Sequence, residues 1–332
     1  MPSKDLEKQI LFKVYREDLF RLVDTTESPD FICTMKNGAT FGVEVTELYR
    51  SESTARLHKI PNYVTQLLAD RGYRHKDDRV GLRVEKVRYL PGGQGPGKEI
   101  DAIISTVLTS EEIGHLIGKV IICKHDKVHE YLKQASECDL IIHDPARDVQ
   151  KDSRNEFISN LPTNPLAEVV SHSPFREIFL VVTESGAKEV YLPLKANLFL
   201  ARVLVFEGHF RQFYRGKPDC LTFKNYFKML LDYLCRNGFE NVTISESPPN
   251  NYLNVGNISL HYDEHQMKCI SEFIYLSTST SVSISQTALR KAIPSEFQMH
   301  ISCPDNALIA NPNLVFEVNK LKGIAPNDLP VS

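Results

Sequence analysis

Apolar residues recur at helical spacing at the head of the chain. Leu6, Ile10, Leu11, Val14, Leu22 and Val23 share one side of a helix read over residues 3–24, with Ser3 as its N-cap. Ser28-Pro29 stops it. The period then changes to two. Residues 30–35 and 40–48 are β-rich runs joined by Asn37-Gly38, the strongest short hairpin signal. In the second run, Phe41-Gly42-Val43-Glu44-Val45-Thr46 alternates, so Glu44 and Thr46 share one face while Val43 and Val45 share the other.

Further along, residues 51–70 predict a helix weakened by Pro61, 82–90 a strand, and 91–97 a Gly/Pro loop. Residues 110–135 predict a long helix, opened by Ser110 with Glu111 and Glu112 in its first turn. Short buried strands follow at 140–142 and 177–182. Helix, hairpin, helix, strand, helix and strand in this order predict an α/β (mixed α+β) fold, a mixed sheet flanked by helices. A boundary is placed at 185–195, after Glu184-Ser185-Gly186, dividing a domain of 1–190 from a smaller C-terminal α+β domain of 191–332. In the second part, 226–236 reads as a helix, and 242–245, 258–261, 277–286 and 314–318 read as strands.

Composition adds limits. The 332 residues are 42% hydrophobic and 24% charged, values of a globular chain. The formal net charge of -3 means that any nucleic-acid contact would need a local basic patch. Seven cysteines, an odd number with no CxxC pair, argue against a disulfide framework and a structural zinc site, and predict a reducing compartment. The charged start, Met1 to Ile10, lacks the apolar core of a signal peptide, and no apolar run approaches the ~20 residues of a membrane helix. The expectation is a soluble cytoplasmic protein with no membrane partner.

The candidate chemistry lies in the hairpin. Asp30 opens one strand and Glu44 sits inside its partner, so a tight hairpin brings the two carboxylates together. They repel unless a cation intervenes. Mg²⁺ takes one or two carboxylates plus water and substrate phosphate, and such an ion supports phosphodiester hydrolysis. Asp30 also has a plain reading as a turn residue, and Glu44 as a solvent-facing one. The apolar strand around Glu44 favours a buried charge that needs a partner.

Pro29-Asp30 followed by Glu44-Val45-Thr46, on a helix–hairpin–helix–strand order, resembles the PD-(D/E)XK nuclease-like (restriction-endonuclease-like) superfamily. The likeness covers about residues 1–185 as topology and a handful of residues as motif. It implies a restriction-endonuclease-like core and a Mg²⁺ (or Mn²⁺) ion held by Asp30 and Glu44, with the Val45 carbonyl as a further ligand. It also implies an acid on the first helix, Glu7 before Glu17, although Glu7 equally suits the positive end of a helix. The implied activity is metal-dependent hydrolysis of nucleic acid, DNA ahead of RNA, in restriction or defence.

Thr46 departs from the pattern, since the family places lysine there. Threonine can orient water but cannot supply charge. Lys124 offers a replacement, because it falls inside the apolar stripe Ile117, Ile121, Val128 and Leu132. The competing reading is a snorkelling lysine with its ammonium in water.

Two further readings stand beside hydrolysis. One is an inactive nuclease-like fold that binds nucleic acid or protein, with a homodimer or protein partner engaged through the C-terminal domain. The other is a nucleotide-binding protein using Gly92-Gly93-Gln94-Gly95-Pro96-Gly97-Lys98, which matches the GxxxxGK half of a P-loop but has Glu99 in place of Ser/Thr. His125 and His129 are spaced to share a metal but read as surface residues, and Lys119, Lys124, Lys127 and Lys133 make their helix basic. Phe206, Phe210, Phe213 and Tyr214 interleave with Arg202, Arg211, Arg215 and Lys217, and read as a core element rather than a stacking surface.

Overall fold

Helix α1, Lys4–Val14, buries Ile10, Leu11 and Val14 on one side and carries Asp5 and Glu7 near its positive end. In this computed structural model the described residues are 4–36, 38–70, 75–78, 82–89, 97–104, 107–149, 156–157, 160–161, 164–183, 189–213, 223–239, 242–247, 250–255, 258–262, 267–271 and 280–282. The first helix stops well short of residue 24. A short turn, Glu17–Leu19, leads into strand β1, Phe20–Thr25, which holds the Leu22 and Val23 expected on the helix. Adjacent apolar residues fit either period, and antiparallel pairing with β2, Phe31–Met35, decides the matter by setting Val23 opposite Cys33.

The hairpin forms as its pattern predicts. β2 pairs with β3, Thr40–Glu47, with Phe31 opposite Val43, and Gly38 takes the positive φ of 94° that the turn demands. Asn37 lies outside the described residues. β3 then runs parallel to β6, Cys138–Asp144, and β6 parallel to β7, Ile178–Thr183. β8, Glu189–Pro193, closes the far edge antiparallel, giving a six-stranded mixed sheet ordered β1-β2-β3-β6-β7-β8. β6 is buried along its whole length, as a central parallel strand covered on both faces must be.

The two faces have separate cores. Val43, Val45 and Ile141 pack with Ile10, Leu11 and Val14 of α1. Leu48, Leu140 and Ile142 pack with Ile113, Ile117 and Ile121 of α4, Ser110–His125. The α4 cap is Thr109, which forms a capping box with Glu112, one residue ahead of the expected Ser110. The helix ends at His125, and a separate turn, α5, Val128–Tyr131, follows. Leu132, expected on the apolar stripe, is therefore 41% exposed, because the break rotates it out of register.

Between β3 and α4 lies an inserted unit. Pro61 divides the expected helix into α2, Glu52–Lys59, and α3, Tyr63–Asp70. β4, Arg83–Tyr89, and β5, Lys98–Ile104, form a two-stranded sheet of their own. Tyr63, Leu67 and Leu82 form a small core beneath it. Buried Asp78 ties the unit together by accepting from Arg56 and the Tyr63 hydroxyl. Gly92 to Pro96 lie outside the described residues, but Lys98 opens a strand. A P-loop needs its glycine loop to open onto a helix N-terminus, so the nucleotide-binding reading is corrected.

Beyond β8 the chain enters α7, Leu194–Phe213, and α8, Phe223–Arg236, after the shorter α6, Leu166–Ser171, earlier in the chain. Leu198, Phe199, Phe206, Leu230 and Leu234 join the same core as α4 and β7, so that core takes in residues on both sides of the expected boundary. Phe206 is fully buried, in line with a core role for its aromatic segment, while Tyr214, Arg215 and Lys217 lie outside the described residues. Five antiparallel strands complete the description: β9, Val242–Ser247; β10, Asn250–Val255; β11, Ile258–Tyr262; β12, Met267–Ser271; and β13, Thr280–Val282. The strand expected at 314–318 lies outside the described residues. Among the described residues no helix is long and apolar enough to cross a membrane.

At the end of β6, buried Asp144 accepts the backbone N–H groups of Asp148 (3.2 Å) and Val149 (2.8 Å). Burial outweighs these bonds and pushes its carboxyl up to about 6. The folded chain therefore keeps a proton that the unfolded chain has released. Stability should fall, by up to about 3 kcal/mol from this group, as pH rises from about 4 to about 6. Asp144→Asn should flatten that part of the profile in urea melts taken at stepped pH, and an unchanged slope would contradict the assignment.

Candidate functional site

The hairpin register sets the site. Phe31 pairs with Val43, so Asp30, one residue earlier, comes level with Glu44. The Asp30 carboxylate accepts the Val45 backbone N–H at 2.8 Å, which fixes it against β3. Gly42 makes this approach feasible, since a Cβ there would stand 2.7 Å from Pro29 Cγ and 3.3 Å from Cys138 Sγ. The chain can thus lay Pro29 directly on β3 and start β2 beside Glu44.

Glu44 points to the α4 face, on the same side as Leu48. Ile117 and Ile121 seat α4 on the sheet, and Lys124 follows in its last turn. Its Nζ lies 2.6 Å from Glu44 Oε1. α1 supplies Glu7 and Lys4, with Lys4 Nζ 2.5 Å from Asp30 Oδ1 and 3.1 Å from Glu7 Oε2. The other end of α1 is anchored where the Tyr15 hydroxyl donates to buried Asp139 on β6. Asp139 also takes Arg176 at 2.5 and 3.0 Å, and that guanidinium stands 3.9 Å over the Phe41 ring.

The three acids are buried, with Glu7 at 5%, Asp30 at 7% and Glu44 at 6% exposure. Burial, then the charge of Asp30, pushes the Glu44 carboxyl above its ordinary range, while Lys124 opposes the rise. Glu7 is raised in the same way, by burial and then Asp30, against the pull of Lys4. For Lys4, burial works to lower the ammonium, but its bonds to Asp30 and Glu7 outweigh that and hold it above the usual value. The Tyr131 hydroxyl on α5 is pushed well up, by burial first and then by the Glu44 charge beside it. Glu7 Oε2, Glu44 Oε2 and the Tyr131 hydroxyl are all buried without a well-formed hydrogen bond.

Of the residues singled out by pattern, Glu7, Asp30, Glu44 and Lys124 meet at one place. Val45 enters through its N–H, and Thr46 stands half-buried two residues beyond Glu44. Glu17 is exposed in its turn, so Glu7 is the acid that α1 presents. His125 and His129 are exposed and fall on separate helical segments, with His129 paired to Glu130 at 2.8 Å, which ends the shared-metal option. Sequence reasoning missed Lys4. Its signal was a lysine at the positive end of a helix, where the dipole disfavours it unless acids are near. The part played by Tyr131 was also missed, though it lies two helical turns past Lys124.

The acids form an all-oxygen donor set of the kind that hard divalent cations take. As they stand, no three His, Cys, Asp or Glu among the described residues close on one point tightly enough to hold a metal ion. The ammonium groups of Lys4 and Lys124 lie against the carboxylates instead. No family model matches the chain, and no curated protein or solved structure is significantly similar to it.

Removing one partner of a buried ion pair leaves the other charge uncompensated. Lys124→Met should therefore cost about 3 kcal/mol in urea denaturation without divalent ions. Adding Glu44→Gln should restore most of that loss, whereas additive losses would show the pair to be uncoupled. Gly42→Ala should cost about 1–3 kcal/mol by forcing Pro29 off β3, as read by the same melts.

Proposed function

We propose that this chain hydrolyses phosphodiester bonds in nucleic acid, DNA ahead of RNA, with Mg²⁺ or Mn²⁺ held by Asp30, Glu44 and Glu7. The observation that carries the reading is the chain of three buried carboxylates, Glu7 and Asp30 joined by Lys4 and Asp30 level with Glu44, with Lys124 2.6 Å from Glu44. Glu44 Oε2, buried without a hydrogen bond, suits a donor set built for a hard cation. The fold class is in keeping with the reading: a six-stranded mixed sheet with helices on both faces is what the resemblance of Pro29-Asp30 and Glu44-Val45-Thr46 to the PD-(D/E)XK superfamily implies.

A bound divalent ion would polarise the scissile phosphate and lower the pKa of its water. The chain's own groups do the rest. Asp30, locked by the Val45 N–H, and Glu44 present oxygens from adjacent strands at fixed positions. Lys124 supplies the positive charge that Thr46 lacks, and it can orient water beside Glu44 and offset charge developing on the phosphate. Tyr131 keeps its hydroxyl at the Glu44 side of the same space.

A second reading rests on the completeness of the ion pairs. Lys4 and Lys124 already engage all three acids, as an inactive, nucleic-acid- or protein-binding descendant of such a site would arrange them. Cleavage of plasmid and of labelled DNA and RNA with Mg²⁺ or Mn²⁺ separates the two. Hydrolysis requires wild type to cut, Asp30→Ala and Glu44→Ala to lose about 100-fold or more, and Lys124→Met to lose about tenfold or more. Binding without cleavage favours the second reading, and equal cutting by wild type and variants removes the site from the chemistry.

A further inference from the structure

We infer that Lys4 is a displaceable counterion, whose ammonium occupies the seat between Glu7 and Asp30 that a divalent cation takes and leaves it when the ion arrives. The inference rests on the metal-binding reading above. Lys4 Nζ stands 2.5 Å from Asp30 Oδ1 and 3.1 Å from Glu7 Oε2. A Mg²⁺ ion on the same oxygens would sit at about 2.0–2.1 Å from each. Two cations cannot share that space, because their repulsion at such separations is large in a buried setting.

The two lysines of the site are not equivalent. Lys124 projects from the last turn of a helix seated in the core, and its side chain is 19% exposed. Lys4 is the first residue of α1, and its side chain is 36% exposed. Its long, flexible stem can carry the ammonium into water without moving the backbone. It also sits at the positive end of α1, where a lysine is held only by its acidic partners. Once an ion neutralises Asp30 and Glu7, the contact left to it among the described residues is the Phe31 ring, 5.9 Å away.

Charge balance points the same way. Three carboxylates face two ammonium groups, which leaves one negative charge over and Glu44 Oε2 buried without a hydrogen bond. A divalent ion in place of Lys4 brings the cluster, with Lys124 retained, to neutrality.

Calorimetric titration of Mn²⁺ into the full chain tests this, using wild type, Lys4→Met, Lys4→Gln and Lys4→Arg. Lys4→Met and Lys4→Gln should bind about tenfold more tightly or better, while Lys4→Arg, which keeps the charge, should not gain. The Mn²⁺-induced rise in urea midpoint, read on each folded variant, should follow the same order. Binding by Lys4→Met alone, with wild type silent, also supports displacement. Equal or weaker binding by Lys4→Met than by wild type overturns displacement and leaves the metal reading standing. An equal gain in Lys4→Arg overturns it as well. No binding by wild type or any variant rejects the metal reading, and displacement with it.

Discussion

A carboxylate on a strand covered on both faces is tolerable only if an opposite charge reaches it, and Glu44 sets that condition for this fold. Its counter-charge comes from Lys124, far along the chain, so the parallel crossover from β3 through α4 to β6 must close before the strand is electrostatically sound. The placement of α4 depends in turn on Ile113, Ile117 and Ile121, whose burial seats the helix and brings its last turn over the sheet. Asp30, level with Glu44 at the start of β2, imposes a matching condition. It draws on Lys4 and the Val45 N–H, and so binds α1 to the hairpin.

β6 shows what a closed polar network looks like beside an open one. On the α1 face, Asp139 receives the Tyr15 hydroxyl, two bonds from Arg176 and the Glu177 N–H. Every oxygen there is used, and the cluster acts as a rivet between helix and sheet. At the carboxylate site, Glu44 Oε2 stands without a hydrogen bond and Glu7 Oε2 has only the Lys4 ammonium at 3.1 Å. Structural networks gain by being completed. The contrast between these two networks of one sheet is what the proposed metal reading turns on.

Much of this arrangement was legible in the sequence, for physical reasons. Asn37-Gly38 fixes the hairpin, and the alternation of residues 41–46 fixes which face Glu44 takes. Lys124 could be singled out because a charge interrupting an apolar stripe must find a partner, and Glu44 is that partner. Other features left weaker traces. Leu22 and Val23 fit a helix as well as a strand, so only cross-strand pairing decides them. β5 follows a glycine-rich stretch of sequence and carries Lys98, Glu99 and Asp101, which hides its period. Lys4 looked like part of a solvated head because its partner Asp30 is brought near only by the tertiary fold.

The insertion between β3 and α4 keeps its own small core of Tyr63, Leu67 and Leu82 and its own ion pairs at Arg56. Among the described residues, no ion pair joins it to Glu7, Asp30 or Glu44. The opposite holds for α1, whose first residue already touches Asp30. The start of that helix therefore stands at the rim of the acids. An affinity tag rich in histidine would there present imidazole ligands beside them and compete for any cation offered. Handles for purification belong at the other terminus, or must be cut away before the centre is assayed.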